Sequence, residues 1–164
     1  MEVCSLTQAD RPLPHEQAAT SHSPSAAPST GSGAQGWPVG SVALVVEDEP
    51  LICMNLMQML EMMDFVAVGL GRAEAALDWL KANPSPALMI TDFSLPGMDG
   101  IQLAAEARAL HPGLPVLLAS GHSQSAMTLP AELQQGVGFL PKPYAMRQLE
   151  EAVQDIWARS RGGA

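Results

Sequence analysis

Five residues carry the chemistry of this sequence: Glu47, Asp48, Asp92, Ser120 and Lys142. Each stands where an apolar run ends. "SVALVV" gives way to Glu47 and Asp48, "PALMIT" to Asp92, "LPVLLA" to Ser120, and "GVGFL" runs through Pro141 to Lys142. A cluster of carboxylates in a cleft repels itself and calls for a cation. Hard oxygen donors suit Mg²⁺. A lysine and a bound cation together neutralise phosphoryl oxygens, and a carboxylate so placed is a nucleophile toward phosphorus. A neighbouring hydroxyl can donate to the phosphoryl group once it arrives. Each residue also has an ordinary use. Asp92 before "FSLPG" suits a turn, Glu47, Asp48 and Glu49 suit a helix N-terminus, Ser120 suits a turn, and Lys142 suits a wet surface. What separates the readings is whether the chain brings these ends to one place.

The elements that flank them say that it does. "PLICMNLMQMLEMM" has apolar Ile52, Leu56, Met59, Leu60 and Met63 at helical spacing, with Pro50 in the first turn and Met57 on the outer side. "FVAVG" is a strand, and "RAEAALDWLKAN" is a helix with Ala76, Leu77 and Leu80 on one face. "GIQLAAEARAL" is a helix ended by His111, Pro112 and Gly113, and "AMRQLEEAVQDIWARS" is the last. Strand and helix alternate about five times, and the strands lack polar alternation. This predicts an α/β fold with a doubly wound parallel sheet buried on both faces. In such a sheet the carboxyl ends of the strands share one rim, where ligands bind. Pro130 in "HSQSAMTLPAELQQG" forbids a continuous fourth helix, so a loop and a short helix from Pro130 to Gln135 are expected there.

The chain has 164 residues, 47% of them hydrophobic, with a net charge of −9, which supplies one core and argues against nucleic-acid binding. No apolar run reaches the about 18 residues of a membrane helix. Cys4 and Cys53 read as free thiols in a reducing cytoplasm. "AATSHSPSAAPSTGSGAQG", Ala18 to Gly36, holds no bulky apolar residue, so residues 1–40 are expected to be a disordered tail. Trp37 is the one residue there able to dock. His15 and His22 lack the neighbours that metal ligation needs.

"LVVEDEP", "MITDFSLPGMDG", "PVLLASGH" and "GFLPKPY", in that order and at strand ends, resemble the receiver domain of two-component response regulators over residues 41–160. The wording of "DFSLPGMDG" and "LLASGH" most resembles receivers of hybrid histidine kinases or free-standing ones of that group. The resemblance implies a five-stranded, flavodoxin-like sheet of order 2-1-3-4-5, with 161–164 as a C-terminal tail. It implies that Asp92 is the phosphoacceptor. Asp48 would bind Mg²⁺ directly, Glu47 through water, and the Ser94 backbone carbonyl would complete the protein ligands. Ser120 would be the switch hydroxyl, Phe139 the switch aromatic, and Lys142 the site lysine before a cis proline bond. His122, two residues after Ser120, borders the path of attacking water, as Ser94 does. The implied donor is a histidine kinase or phosphotransfer protein. The implied output is a protein target or a second copy, bound at the fourth and fifth helix face, with no membrane or nucleic acid involved. Such a domain catalyses only its own phosphorylation and dephosphorylation.

Other classes fit less well. A haloacid-dehalogenase-like phosphatase needs a second aspartate two positions after the nucleophile, and Ser94 stands there. Gly69 and Gly71 lack the third glycine of a dinucleotide site. A phosphorylation-independent scaffold would have no need of the intact acids and lysine.

Overall fold

The computed structural model describes residues 36–121 and 129–162. Five strands, β1 (Val42–Val46), β2 (Val66–Leu70), β3 (Leu88–Asp92), β4 (Val116–Ser120) and β5 (Val137–Pro141), form one sheet. Its order is β2-β1-β3-β4-β5, and every neighbouring pair is parallel. The helices are α1 (Pro50–Glu61), α2 (Ala73–Ala82), α3 (Gly100–Leu110) and α4 (Met146–Gly162). This is the flavodoxin-like order that the resemblance implies, and the parallel pairing is what the alternation of strand and helix predicts.

The strands are apolar because both faces are covered. Leu44, Val46, Met89 and Leu118 pack toward α2 and α3, with Ala76, Leu80, Leu103 and Ala107. Ala43, Val45, Ile90 and Leu140 pack toward α1 and α4, with Leu56, Leu60, Leu149 and Val153. Met57 does not lie outside as expected. Gly69 has no side chain, and a Cβ there would meet Met57 Sδ at 2.4 Å and Cys53 Sγ at 2.8 Å. That missing side chain lets α1 settle against β2.

Among the described residues the link between β4 and β5 holds one 3₁₀ turn, Ala131–Leu133, which is shorter than the expected helix from Pro130 to Gln135. Pro130 stands just before it with ψ 148°, in extended backbone. The helix expected as the fifth is α4, and it reaches Gly162, so the last turn takes in two residues assigned to a C-terminal tail.

The folded body also begins earlier than residue 41. Trp37 is 1% exposed, stacks on Phe65 at 4.9 Å, meets Trp157 edge-on at 6.4 Å and donates its indole N–H to the Met63 carbonyl at 3.1 Å. Gly40 N–H donates to the Asp64 carbonyl at 2.8 Å. The expected tail therefore loses residues 36–40 to the domain, because an indole buries more apolar surface than its neighbours cost to order. Residues 1–35, with Cys4, His15 and His22, lie outside the described residues.

Candidate functional site

The site sits at the carboxyl ends of β1, β3, β4 and β5. Backbone hydrogen bonds run past the last strand residues and hold these ends together. Phe93 N–H donates to the Ala119 carbonyl and Lys142 N–H to the Ser120 carbonyl, both at 2.8 Å. Glu47 N–H donates to the Leu70 carbonyl at 3.0 Å. Gly100 opens α3 directly behind Asp92, and a Cβ there would lie 2.5 Å from the Asp92 carbonyl oxygen. The helix can start that close only with glycine. Asp99 caps it, accepting from Gln102 N–H at 2.8 Å while the Gln102 side chain accepts from Asp99 N–H at 3.4 Å, a reciprocal capping box.

Three carboxylates converge. Oxygens of Glu47, Asp48 and Asp92 all lie within 4.8 Å of one another. Lys142 Nζ enters the same cluster, 2.7 Å from Glu47 Oε2 and 3.2 Å from Asp92 Oδ1. Glu47 is 4% exposed, whereas Asp48 is exposed and Asp92 is partly so. Three hard oxygen donors with open water on the Asp48 side fit a small divalent cation such as Mg²⁺. Burial pushes the Lys142 ammonium down, but hydrogen bonds to Glu47 and Asp92, and their charges, outweigh it and hold its pKa above the usual lysine value. The lysine is therefore charged at neutral pH.

The remaining predicted residues fall around this cluster. Ser120 is buried at the end of β4. Phe139 lies in β5 opposite Leu118 and is half-buried against the α2–α3 core. Ser94 stands exposed in the loop two residues past Asp92. The Lys142–Pro143 bond is cis. His122 lies outside the described residues.

Two neighbours of the site were not assigned to it by sequence reasoning, which passed over Tyr144 and read Cys53 only as a free thiol. Tyr144 packs with Cys53 and Met57 on the α1–α4 side, and its hydroxyl is buried without a hydrogen-bond partner. Burial raises its pKa. Cys53 is raised too, by burial first and the Glu47 charge second, so it is a protonated, packing thiol. The signal for both was their spacing. Tyr144 follows Lys142 by two residues, and Cys53 lies one helical turn before Met57.

Residues 43–154 match the response regulator receiver domain. The chain belongs to that family. Receiver relatives include the probable transcriptional regulatory protein NarL of Mycobacterium tuberculosis, 35% identical over 115 residues, which are 68% of this chain and 52% of that protein. They also include the two-component response regulator ARR2 of Arabidopsis thaliana, 32% identical over 128 residues (77% of this chain, 18% of ARR2). The sensor kinase CckA of Brucella abortus is 29% identical over 119 residues, 71% of this chain but 12% of the kinase. The chain thus spans between about an eighth and about half of these relatives. Among solved structures, the receiver domain of the hybrid histidine kinase CckA superposes with TM-score 0.60 at 29% identity, covering 71% of this chain and 98% of that one. A receiver domain protein from Clostridium thermocellum, 22% identical, shares the fold with TM-score 0.66 over 76% of this chain and 99% of its own. This receiver has no described helix long and apolar enough to cross a membrane.

Proposed function

We propose that this receiver is a phosphorylation-dependent switch that takes a phosphoryl group from a phosphohistidine onto Asp92. The donor is a histidine kinase or a phosphotransfer protein. The observation that carries this is the placing of Lys142 Nζ between Asp92 Oδ1 and Glu47 Oε2, in a cluster of three carboxylates at the strand ends.

An Asp92 carboxylate oxygen attacks phosphorus in line. The P–O bond forms as the P–N bond to the donor imidazole breaks, and the electron pair returns to that nitrogen. Lys142 swings its ammonium from the free carboxylate onto a phosphoryl oxygen and neutralises charge there. Ser120 donates its hydroxyl to a second phosphoryl oxygen. Glu47, Asp48, Asp92 and the Ser94 carbonyl are the groups that would hold Mg²⁺, which when bound neutralises phosphoryl charge. Hydrolysis of the acyl phosphate by water resets the switch, and no other substrate is turned over. Output runs through protein contact, with a target or with a second copy, at the surface formed by the 3₁₀ turn, β5 and α4. The expected location is the cytoplasm, where kinase and phosphotransfer domains work.

The test is incubation with phosphoramidate and Mg²⁺, followed by search for an alkali-labile phosphate. Wild type should label and Asp92→Asn should not. Asp48→Ala should lose nearly all labelling and its dependence on Mg²⁺. Labelling of Asp92→Asn at the wild-type level sinks the assignment. No labelling of wild type under any donor favours a phosphorylation-independent scaffold.

A further inference from the structure

Glu47 and Asp48 are adjacent in sequence but differ in surroundings. Asp48 is exposed and keeps its own hydration. Glu47 is 4% exposed, and a carboxylate that dry needs a partner. It has one. Lys142 Nζ lies 2.7 Å from Glu47 Oε2, closer than the 3.2 Å to Asp92 Oδ1, and Glu49 N–H donates to Glu47 Oε1 at 3.4 Å.

We propose that Glu47 is a positioning residue for Lys142, holding the ammonium over Asp92, and that its service to a metal is secondary. This rests on Asp92 being the acceptor. The length of the side chain matters. An aspartate at position 47 would retreat by about one carbon–carbon bond, roughly 1.5 Å. The 2.7 Å contact would open to the edge of ion pairing. Lys142 would then depend on Asp92 alone, the group whose oxygen becomes committed to phosphorus. With Glu47 in place, the lysine keeps an anchor that the reaction does not consume. The pair is also neutral as a unit, so it adds no net charge to the field that draws in a cation.

A charge cycle separates this from direct ligation. Mg²⁺ affinity is read by calorimetry on the full chain for wild type, Glu47→Gln, Lys142→Gln and the double variant. Removing the glutamate charge should weaken binding and removing the lysine charge should tighten it. The double variant, having lost a neutral pair, should return to within about threefold of wild type. If the double variant stays about tenfold or more weaker, Glu47 is a ligand in its own right and the proposal falls. Glu47→Asp keeps both charges and guards against loss of folding in the neutral variants. At saturating Mg²⁺, which takes metal affinity out of the comparison, it should label about tenfold more slowly than wild type. Labelling of Glu47→Asp at the wild-type rate overturns the length argument. Failure of the acceptor assignment itself would show differently, as wild type that takes no label while the Mg²⁺ cycle remains readable.

Discussion

Ser120 and Phe139 occupy neighbouring strands, and strand alternation puts Ser120 on the face of Leu118, which pairs directly with Phe139. Under the proposed function, a phosphoryl group on Asp92 would draw the Ser120 hydroxyl toward it and open space beside that ring. Phe139 has no polar tip, so its full burial is favoured by about 1–3 kcal/mol. The phosphoryl group need only tip such a two-state balance. Ser120→Ala should accept phosphate on Asp92 but lose the change in amide hydrogen exchange over β5 and α4 that wild type shows. If Ser120→Ala and Phe139→Ala both respond as wild type does, the signal leaves by another route. At this scale the sequence was informative about residue types. A lone aspartate after "LMIT" and a lysine between two prolines stand out because each ends an otherwise apolar run. That Glu47 is buried against Lys142 while Asp48 is exposed could not be read from the residues, since adjacent acids look alike until the chain is folded.

At the scale of elements, the strands were legible because a buried parallel sheet leaves unbroken apolar runs, and α3 was legible through the His111, Pro112 and Gly113 that end it. The close approach of α3 to β3 was not. Gly100 reads as a loop glycine, yet a Cβ there would meet backbone, at 2.5 Å from the Asp92 oxygen and 3.0 Å from Phe93 Cα. Backbone cannot turn aside as a side chain can. Gly100→Ala should cost about 1–3 kcal/mol in chemical denaturation. It should also displace Asp92, the proposed acceptor, so labelling should slow even where the protein remains folded. Unchanged stability and labelling would mean that α3 shifts freely. Asp99→Ala gives the contrast. Losing a cap costs on the order of 1 kcal/mol, and labelling should follow stability alone. The segment at Pro130 was half legible. Proline forbids a continued helix, but that the described part of this link holds one 3₁₀ turn, with Leu133 buried, is something no local pattern reveals.

For the molecule as a whole, the two ends of the sheet do different work. Asp92, Glu47 and Lys142 gather at the carboxyl ends, while Trp37, Phe65 and Trp157 gather where β1 and β2 begin. A five-residue strand separates these ends by roughly 15 Å. That exceeds the range of about 7–10 Å within which substitutions usually couple. The family match starts at residue 43, so the Trp37 anchor lies in front of the matched residues. Composition hid it, because one tryptophan after a long Ser, Ala and Pro stretch resembles the end of a tail. The indole N–H to Met63 and the fit of Gly36 against Trp157 exist only once α1, β2 and α4 are assembled. A chain beginning at Gly36 should therefore melt like the full-length protein. A chain beginning at Val42, or Trp37→Ala, should lose about 3–5 kcal/mol, which lowers the melting temperature by on the order of 10 °C. Measured well below that melting point, the initial rate of labelling at Asp92 should match wild type in both. A Trp37→Ala protein of full stability would reduce the anchor to surface packing. One that is stable but slow to label would mean that the base of the sheet is coupled to the site across its whole length.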